Sequence, residues 1–306
     1  MKIVEPNDLI PRMIGRYSTG HEGPLLLMFG GVHGNEPSGI KALQNVFKEL
    51  ENTKPDIAGT VVGIVGNRQA LKQNSRFIDE DLNRVWTKEN IAYPSATYEQ
   101  KEMLAIIDVI EHLDREINYT KRYFMDCHTT SAPTLPFISV QEVNRNDAWA
   151  HRFPTYIIRG FSDIVNGCID QYLSRQGITG FVFEAGQHES EASVENHEGM
   201  IWLAMQEACQ LDLKKITNYP DCVDKFLKKN SPGQKTFEIL YRHEIKEEDT
   251  FKMKPGFENF QKIRVGELLA HQNGKELRSR WDAYIHMPLY QEQGSDGFFI
   301  IKEVEG

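Results

Sequence analysis

The N-terminal part of the sequence alternates short apolar runs with longer amphipathic stretches. Apolar runs of about five residues are typical of strands that are buried on both faces of a sheet. The amphipathic stretches are long enough for crossover helices, which predicts an α/β fold with a mostly parallel central sheet and flanking helices. The predicted strands are residues 25–29, 61–65, 123–127 and 180–184, and the predicted helices are residues 39–50, 98–113 and 191–211.

The sequence changes character after Leu211. Residues 214–234 are rich in Lys, Asn and Pro, which favours a linker. Beyond them, short apolar segments alternate with turn sequences such as Asn273-Gly274, a pattern typical of β-strands joined by turns. We therefore predict an α/β domain that carries the chemistry, a linker and a small β-rich C-terminal domain, at residues 1–215, about 216–234 and 235–306.

The composition argues against several classes of protein. The 306 residues include 35 Lys and Arg against 44 Asp and Glu, and this net charge of -9 argues against nucleic acid or an anionic membrane as partner. No stretch has the roughly 18–20 consecutive apolar residues of a membrane helix, and the start of the chain lacks the apolar run of a signal peptide. The four cysteines form no CxxC pair, which favours reduced thiols. We therefore expect a cytoplasmic protein.

A glycine-rich turn after the first predicted strand places His33 and Glu36 three positions apart. Parallel α/β sheets bind ligands beyond the carboxyl ends of their strands, and glycine lets the backbone turn sharply enough for both side chains to converge. Imidazole nitrogen and carboxylate oxygen together suit zinc. A surface turn that merely contains these two residues is the alternative.

His128 follows another predicted strand at the same kind of position. An isolated histidine of this kind more often makes structural hydrogen bonds. Its coincidence with His33 and Glu36 instead favours a His₂Glu set, in which three protein ligands hold zinc and leave one position open for water and substrate.

Polar residues that follow the second predicted strand are candidates for binding an acid group. Arginine grips a carboxylate with two hydrogen bonds and asparagine adds an amide donor, so Arg68, Asn83 and Arg84 suit this task. A solvated surface charge pattern is the alternative. Asp81 and Asp126 are candidates for holding the second nitrogen of a zinc-binding histidine.

Glu184 ends an otherwise apolar strand, so a buried element carries its carboxylate into a polar crevice. Desolvation would raise its pKa towards the range that suits proton transfer. A structural ion pair with a nearby Arg or Lys is the alternative. The histidines without comparable placement, which we expect to serve packing or solvent contacts, are His112, His188, His197 and His271.

Taken together, these motifs resemble those of the succinylglutamate desuccinylase/aspartoacylase family, which is similar in fold to the zinc carboxypeptidases. His33-Gly34-Asn35-Glu36 resembles the family's zinc motif and His128 its third ligand. Asp81-Leu82-Asn83-Arg84 resembles the family's substrate-binding motif, and Glu184 occupies the place of its general acid/base. The resemblance implies one Zn²⁺ per subunit and a β-rich second domain at the C-terminus.

The resemblance implies hydrolysis of the amide bond of a small anionic N-acyl amino acid, as in aspartoacylases or succinylglutamate desuccinylases. Zinc would polarise the carbonyl and activate water, Glu184 would transfer the proton, and Arg68 would stabilise the developing oxyanion. Asn83 and Arg84 would hold a substrate carboxylate. A zinc carboxypeptidase that cleaves a C-terminal residue from peptides and a non-catalytic carboxylate-binding module are the alternatives.

Several points stay open at this level. Arg175, upstream of Glu184, and Tyr290, in the C-terminal region, are further candidates that no motif assigns to a role. The sequence does not name the acyl group or the amino acid, and it leaves room for a homo-oligomer.

Overall fold

The computed structural model describes residues 10–161, 164–216, 220–229 and 233–305. The strands in these ranges are β1 (Met13–Ser18), β2 (His21–Gly30), β3 (Ala58–Val65), β4 (Arg122–Thr130), β5 (Phe137–Ser139), β6 (Tyr156–Arg159), β7 (Thr179–Gln187), β8 (Thr236–Glu244), β9 (Phe251–Met253), β10 (Gln261–Ile263), β11 (Leu268–Gln272), β12 (Lys275–Arg278), β13 (Ala283–His286) and β14 (Asp296–Val304). The α-helices are α1 (Ser38–Thr53), α2 (Arg68–Gln73), α3 (Lys88–Ala92), α4 (Tyr98–Glu116), α5 (Asn146–Ala150), α6 (Ile169–Arg175), α7 (Glu191–Cys209) and α8 (Asp221–Lys229).

Eleven of the strands in the described ranges form one large sheet, in the order β1-β3-β2-β4-β7-β5-β6-β8-β14-β13-β10. Strands β3, β2, β4 and β7 run parallel to one another, whereas β5 runs antiparallel to β7 and β8, β14, β13 and β10 form antiparallel pairs. The sheet is therefore mixed, where the sequence predicted a mostly parallel one. The physical reason is that crossover helices produce parallel neighbours, while the turns between the C-terminal strands join antiparallel ones.

The four strands and three helices predicted in the N-terminal part are confirmed. Strand β2 is buried on both faces, as its apolar run predicted. Because side chains alternate along a strand, Leu26 and Met28 share a core with residues of α1 and α7, and Leu27 and Phe29 share a second core with residues of α4 and α6. Helices thus cover both faces of the sheet where its strands are parallel.

The C-terminal strands continue the large sheet, because β8 pairs in parallel with β6. A separate three-stranded sheet, in the order β12-β11-β9, lies in the same region of the chain. The stretch predicted as a linker contains α8, whose Phe226 lies against Gly199 of α7. Residues 217–219 and 230–232 of that stretch lie outside the described residues, and the division into two domains stays a prediction.

Two further expectations bear on the class of protein. Cys127, Cys168 and Cys209 are buried and Cys222 is half-buried, and all four are free thiols. None of the helices in the described ranges has the length and apolar character needed to cross a membrane.

Candidate active site

The carboxyl ends of β2, β4 and β7 lie side by side. Gly30 of β2 is in register with Cys127 of β4, and His128 of β4 is in register with Glu184 of β7. The segment after β2 turns back through Gly31, which has a positive φ of 66°. Parallel strands therefore bring the predicted metal motif and the predicted acid/base to one edge of the sheet.

The glycine-rich turn after β2 needs glycine for a second reason. A Cβ atom on Gly34 would lie 2.0 Å from the carbonyl carbon of Ala70 in α2, a distance that no side chain tolerates. Because Gly34 has no side chain, the turn packs closely against α2. In this position the turn directs His33 and Glu36 into the crevice.

The three predicted metal ligands converge on one point. His33, Glu36 and His128 each offer a ligand atom, and these atoms all lie within 4.8 Å of one another. Glu36 Oε1 lies 2.9 Å from His33 Nδ1, and Glu36 Oε2 lies 3.2 Å from His128 Nδ1. Burial opposes ionisation of Glu36, but the neighbouring histidines hold its pKa well below the usual range. The carboxylate is therefore ionised and suited to a cation.

The second nitrogen of each histidine is held by a separate aspartate. His33 Nε2 lies 3.0 Å from Asp81 Oδ1, and His128 Nε2 lies 2.8 Å from Asp126 Oδ2. Such carboxylates fix the tautomer and the orientation of a metal-binding imidazole. With both Nε2 atoms engaged, the two Nδ1 atoms face Glu36, and this donor set fits zinc.

Glu184 lies beside this group with an unsatisfied carboxylate oxygen. Its side chain is buried, and Oε2 has no hydrogen-bond partner within the described part of the chain. Burial, opposed by the charge of His128 and reinforced by that of Glu36, raises the pKa of Glu184 to about 8. A carboxyl group with this pKa exchanges protons readily near neutral pH.

A loop ending in the 3-10 helix Leu82–Arg84 forms another side of the cavity. Buried Glu99 of α4 holds this loop, because its carboxylate accepts hydrogen bonds from the backbone N–H groups of Ile78, Asp79 and Glu80 at 2.7, 3.0 and 3.2 Å. The cavity that the loop borders has a volume of about 130 Å³.

The part of the chain that forms this site matches a known protein family. The family model described as "Succinylglutamate desuccinylase/Aspartoacylase catalytic domain" matches residues 22–193, more than half of the chain, and this range contains all three candidate ligands and Glu184. The chain belongs to this family.

Individual members and solved structures agree with the assignment. A succinylglutamate desuccinylase of Pseudoalteromonas atlantica is 24% identical over 283 residues, which cover 84% of this chain and 74% of that protein. The crystal structure of succinylglutamate desuccinylase from Vibrio cholerae has a TM-score of 0.70 at 13% identity and covers 92% of this chain and 82% of its own. Murine aminoacylase 3 has a TM-score of 0.60 at 15% identity, with 94% and 97% covered. At these identities the structures show a shared fold.

Two of the residues that the sequence suggested for substrate binding lie at the cavity. Asn83 and Arg84 line the cavity. Asn83 Oδ1 accepts a hydrogen bond from the backbone of Ile169 at 2.9 Å, and Arg84 Nη2 donates to Asp296 Oδ2 at 2.7 Å. Arg84 is thus already paired with a carboxylate of the C-terminal region.

Arg68, for which the sequence suggested the oxyanion role, is not among the described residues that line the cavity. It is buried at the start of α2, and its Nε lies 3.4 Å from Glu102 of α4. Arg76, which the sequence analysis missed, lies beside the candidate metal ligands. Arg76 Nη2 donates to Asp81 Oδ2 at 3.0 Å, and Nη1 lies 3.7 Å from Glu36 Oε1. Arg76 lies five residues before Asp81, and this nearness to the motif of residues 81–84 was the available signal.

The remaining candidates differ in whether they line the cavity. Arg175 is exposed at the end of α6, and the Tyr290 hydroxyl donates to the backbone oxygen of Lys254 at 2.8 Å, so neither lines the cavity. His188, expected to serve packing or solvent contacts, does line it. It directly follows β7, four positions after Glu184, and this place at a strand end was the available signal.

Proposed function

We propose that this protein is a zinc-dependent hydrolase that cleaves the amide bond of a small N-acyl amino acid. The observation that carries the proposal is the convergence of His33, Glu36 and His128 beside a buried carboxyl group, Glu184, that has a free oxygen. The names of the similar proteins, succinylglutamate desuccinylase and aminoacylase 3, support the same reaction class.

His33, Glu36 and His128 would hold the zinc ion through the two Nδ1 atoms and the carboxylate. Zinc at this position supplies a Lewis acid for an amide carbonyl and lowers the pKa of water. Glu184 accepts a proton from the attacking water and delivers it to the leaving amine. Its pKa of about 8 suits both transfers, because the group is neither a strong acid nor a strong base near neutral pH.

Arg76 is the residue that we assign to stabilising the oxyanion, in place of Arg68. Its guanidinium lies beside the candidate metal ligands, 3.7 Å from Glu36 Oε1. Its Nε and Nη2 both donate hydrogen bonds to Asp81 Oδ2, which fixes its orientation. A fixed cation at the point where negative charge develops lowers the barrier without reorganisation.

Asn83 and Arg84 are the residues that we assign to a substrate carboxylate. The amide and the guanidinium both line the cavity, and together they offer directional donors for one acid group. In this assignment, Arg84 gives up its hydrogen bond to Asp296 and donates to the substrate carboxylate instead.

A short substrate fits the site better than a peptide. The loop between β13 and β14, residues 287–295, which we call the covering loop, supplies residues to the cavity lining. Its Gln291 Oε1 accepts a hydrogen bond from Asn35 at 2.9 Å, and its Tyr290 N–H donates to Ser131 Oγ at 3.1 Å. These contacts tie the loop to both the metal turn and the end of β4, which favours small substrates over the carboxypeptidase alternative.

The test combines metal content with turnover. Purified protein should contain close to one zinc per chain by elemental analysis, and it should release free amino acid from a panel of N-acetyl and N-succinyl amino acids. His128→Ala should lose both properties, while His271→Ala, a change at an exposed histidine, should keep them. Full amidase activity in protein stripped of metal would contradict the proposal.

A further inference from the structure

One wall of the cavity is apolar and comes from several separate parts of the fold. It combines β5, the segment after β6, the covering loop and β14. We call it the apolar wall, and its residues are Phe137, Phe161, Val165, Met287, Leu289 and Phe299. Binding cavities place apolar surfaces where a ligand presents apolar groups. The cavity volume of about 130 Å³ is close to the roughly 150 Å³ that accommodates a benzene molecule in an engineered protein cavity.

The apolar wall is backed by rings that pack closely and carry no charge at neutral pH. Phe161 and Phe299 meet edge to face with ring centroids 5.4 Å apart, and Phe137 lies 4.7 Å from the His286 ring behind it. His286 is fully buried and its ring nitrogens have no hydrogen-bond partner within the described residues. Burial lowers the pKa of His286 to about 3, so the imidazole is neutral.

The positive charges that border the cavity are already paired with protein carboxylates. Within the described ranges, the arginine and lysine side chains that line it are those of Arg76 and Arg84. Arg76 lies 3.0 Å from Asp81, and Arg84 lies 2.7 Å from Asp296. Arg84 can turn to one substrate carboxylate and Arg76 faces the candidate metal ligands, so a second carboxylate would find no other arginine or lysine on the lining within the described residues.

Two acidic side chains make a second carboxylate still less favourable. Asp296 lines the cavity and pairs with two arginines, Arg84 at 2.7 Å and Arg242 at 2.5 Å. Asp170, which is buried, lines the cavity with its Oδ2 2.7 Å from Gln141 Nε2. A substrate carboxylate would compete with Asp296 for Arg84, and near Asp170 it would be desolvated without a cationic partner. An uncharged apolar group meets the apolar wall without either cost.

We propose that the substrate is an N-acyl amino acid with one carboxylate and one apolar group, and that Asp296 disfavours substrates with a second carboxylate. This inference rests on the proposed function. The apolar group belongs to the amino-acid side chain or to the acyl chain, and both sources present the same chemistry to the apolar wall.

A substrate panel with the zinc-loaded full chain tests the substrate class. We expect kcat/KM for N-acetyl-leucine, N-acetyl-phenylalanine or N-hexanoyl-glycine to exceed that for N-acetyl-aspartate and N-succinyl-glutamate at least tenfold. Preference for N-acetyl-leucine or N-acetyl-phenylalanine would place the apolar group on the amino-acid side chain. Preference for N-hexanoyl-glycine would place it on the acyl chain. Equal or better turnover of the dicarboxylic substrates would overturn this inference and leave the proposed function standing. No turnover of any compound would instead refute the proposed function.

Two variants test the charge argument. Asp296→Asn removes the competing carboxylate, and Leu289→Arg adds a cation to the apolar wall. Each should raise the ratio of kcat/KM for N-acetyl-aspartate over N-acetyl-leucine about tenfold, whereas Glu292→Gln, an exposed change in the same loop, should leave the ratio unchanged. An unchanged ratio in whichever of the two variants folds would overturn the role of Asp296 and of the apolar wall.

Discussion

Asp126 and His128 form a hydrogen bond of 2.8 Å between Oδ2 and Nε2, and the two residues are two positions apart on the same strand. Because side chains alternate along a strand, this spacing places both on one face. The bond turns His128 Nδ1 towards Glu36, at 3.2 Å from Oε2. An aspartate on the same strand therefore helps to orient a candidate metal ligand.

Replacing Asp126 with Asn should weaken zinc binding. The amide cannot hold the imidazole as a negatively charged acceptor does, and loss of such a partner typically costs about 10–100-fold in metal affinity. Competition with a chromogenic chelator measures the affinity. Asp108→Asn, a change at an exposed position of α4, is the control and should leave the affinity unchanged. Equal affinities for both variants would show that Asp126 does not orient the ligand.

Replacing Glu184 with Gln should abolish most turnover while zinc stays bound. The variant keeps the size of the side chain but cannot accept or donate the catalytic proton, and general acid–base groups typically contribute about 10²–10⁴-fold. Steady-state rates together with zinc content per chain check this. Glu189→Gln, an exposed change five residues along, should keep wild-type rates. A Glu184→Gln enzyme with undiminished kcat would refute the acid/base assignment.

Arg76 and Arg68 should behave in opposite ways on replacement. Arg76→Ala should lower kcat by about 10²–10³-fold with a smaller change in KM, because the lost cation acts where charge develops. Arg68→Met should keep the kcat of the folded protein and lower the free energy of unfolding by about 1–3 kcal/mol, because it removes a buried partner of Glu102. Kinetics and urea unfolding on both variants separate the two roles. A large loss of kcat in Arg68→Met alone would restore the assignment made from the sequence.

His286 should make the protein sensitive to acid. Its pKa is about 3 in the folded protein and roughly 6.5 in the unfolded chain. Above pH 6.5 both states hold a neutral imidazole. As the pH falls from 6.5 towards 3, only the unfolded state takes up this proton, so stability falls by about 1.4 kcal/mol per pH unit.

Replacing His286 with Phe tests this contribution to the pH dependence of stability. Phenylalanine keeps an aromatic ring among the aromatic neighbours but cannot take up a proton. Urea unfolding at pH 7, 6, 5 and 4 should give a shallower loss of stability with acid than in the wild type. Exposed His271→Ala should retain the wild-type slope. The same slope in all three proteins would exclude His286 as the source of the acid sensitivity.

The sequence could predict the central strands and the polar side chains that follow them because both have local causes. A run such as residues 25–29 favours a strand buried on both faces, and the glycine-rich turn after it places His33 and Glu36 beyond the end of that strand. Glu184 followed from the same logic at the end of β7. In each case the information lies within a few neighbouring residues.

What the sequence did not indicate depends on residues far away in the chain. Glu102 of α4, 34 positions along the chain, pairs with Arg68 outside the cavity, whereas Asp81 holds Arg76 in it. The mixed sheet has the same origin, because antiparallel pairs join β5 to β7 and β8 to β14, which are not neighbours along the chain.

The amino-acid sequence by itself determined the class of fold, the family and the donor set at the strand ends, since periodicity and turn chemistry act between near neighbours. Only the tertiary structure decided which arginine borders the cavity and what the rest of the cavity offers a substrate. Arg84 and Asp296 lie 212 positions apart and meet at 2.7 Å, and the apolar wall combines four separate segments. Such pairings depend on how the sheet brings distant strands together, and no short sequence pattern encodes them.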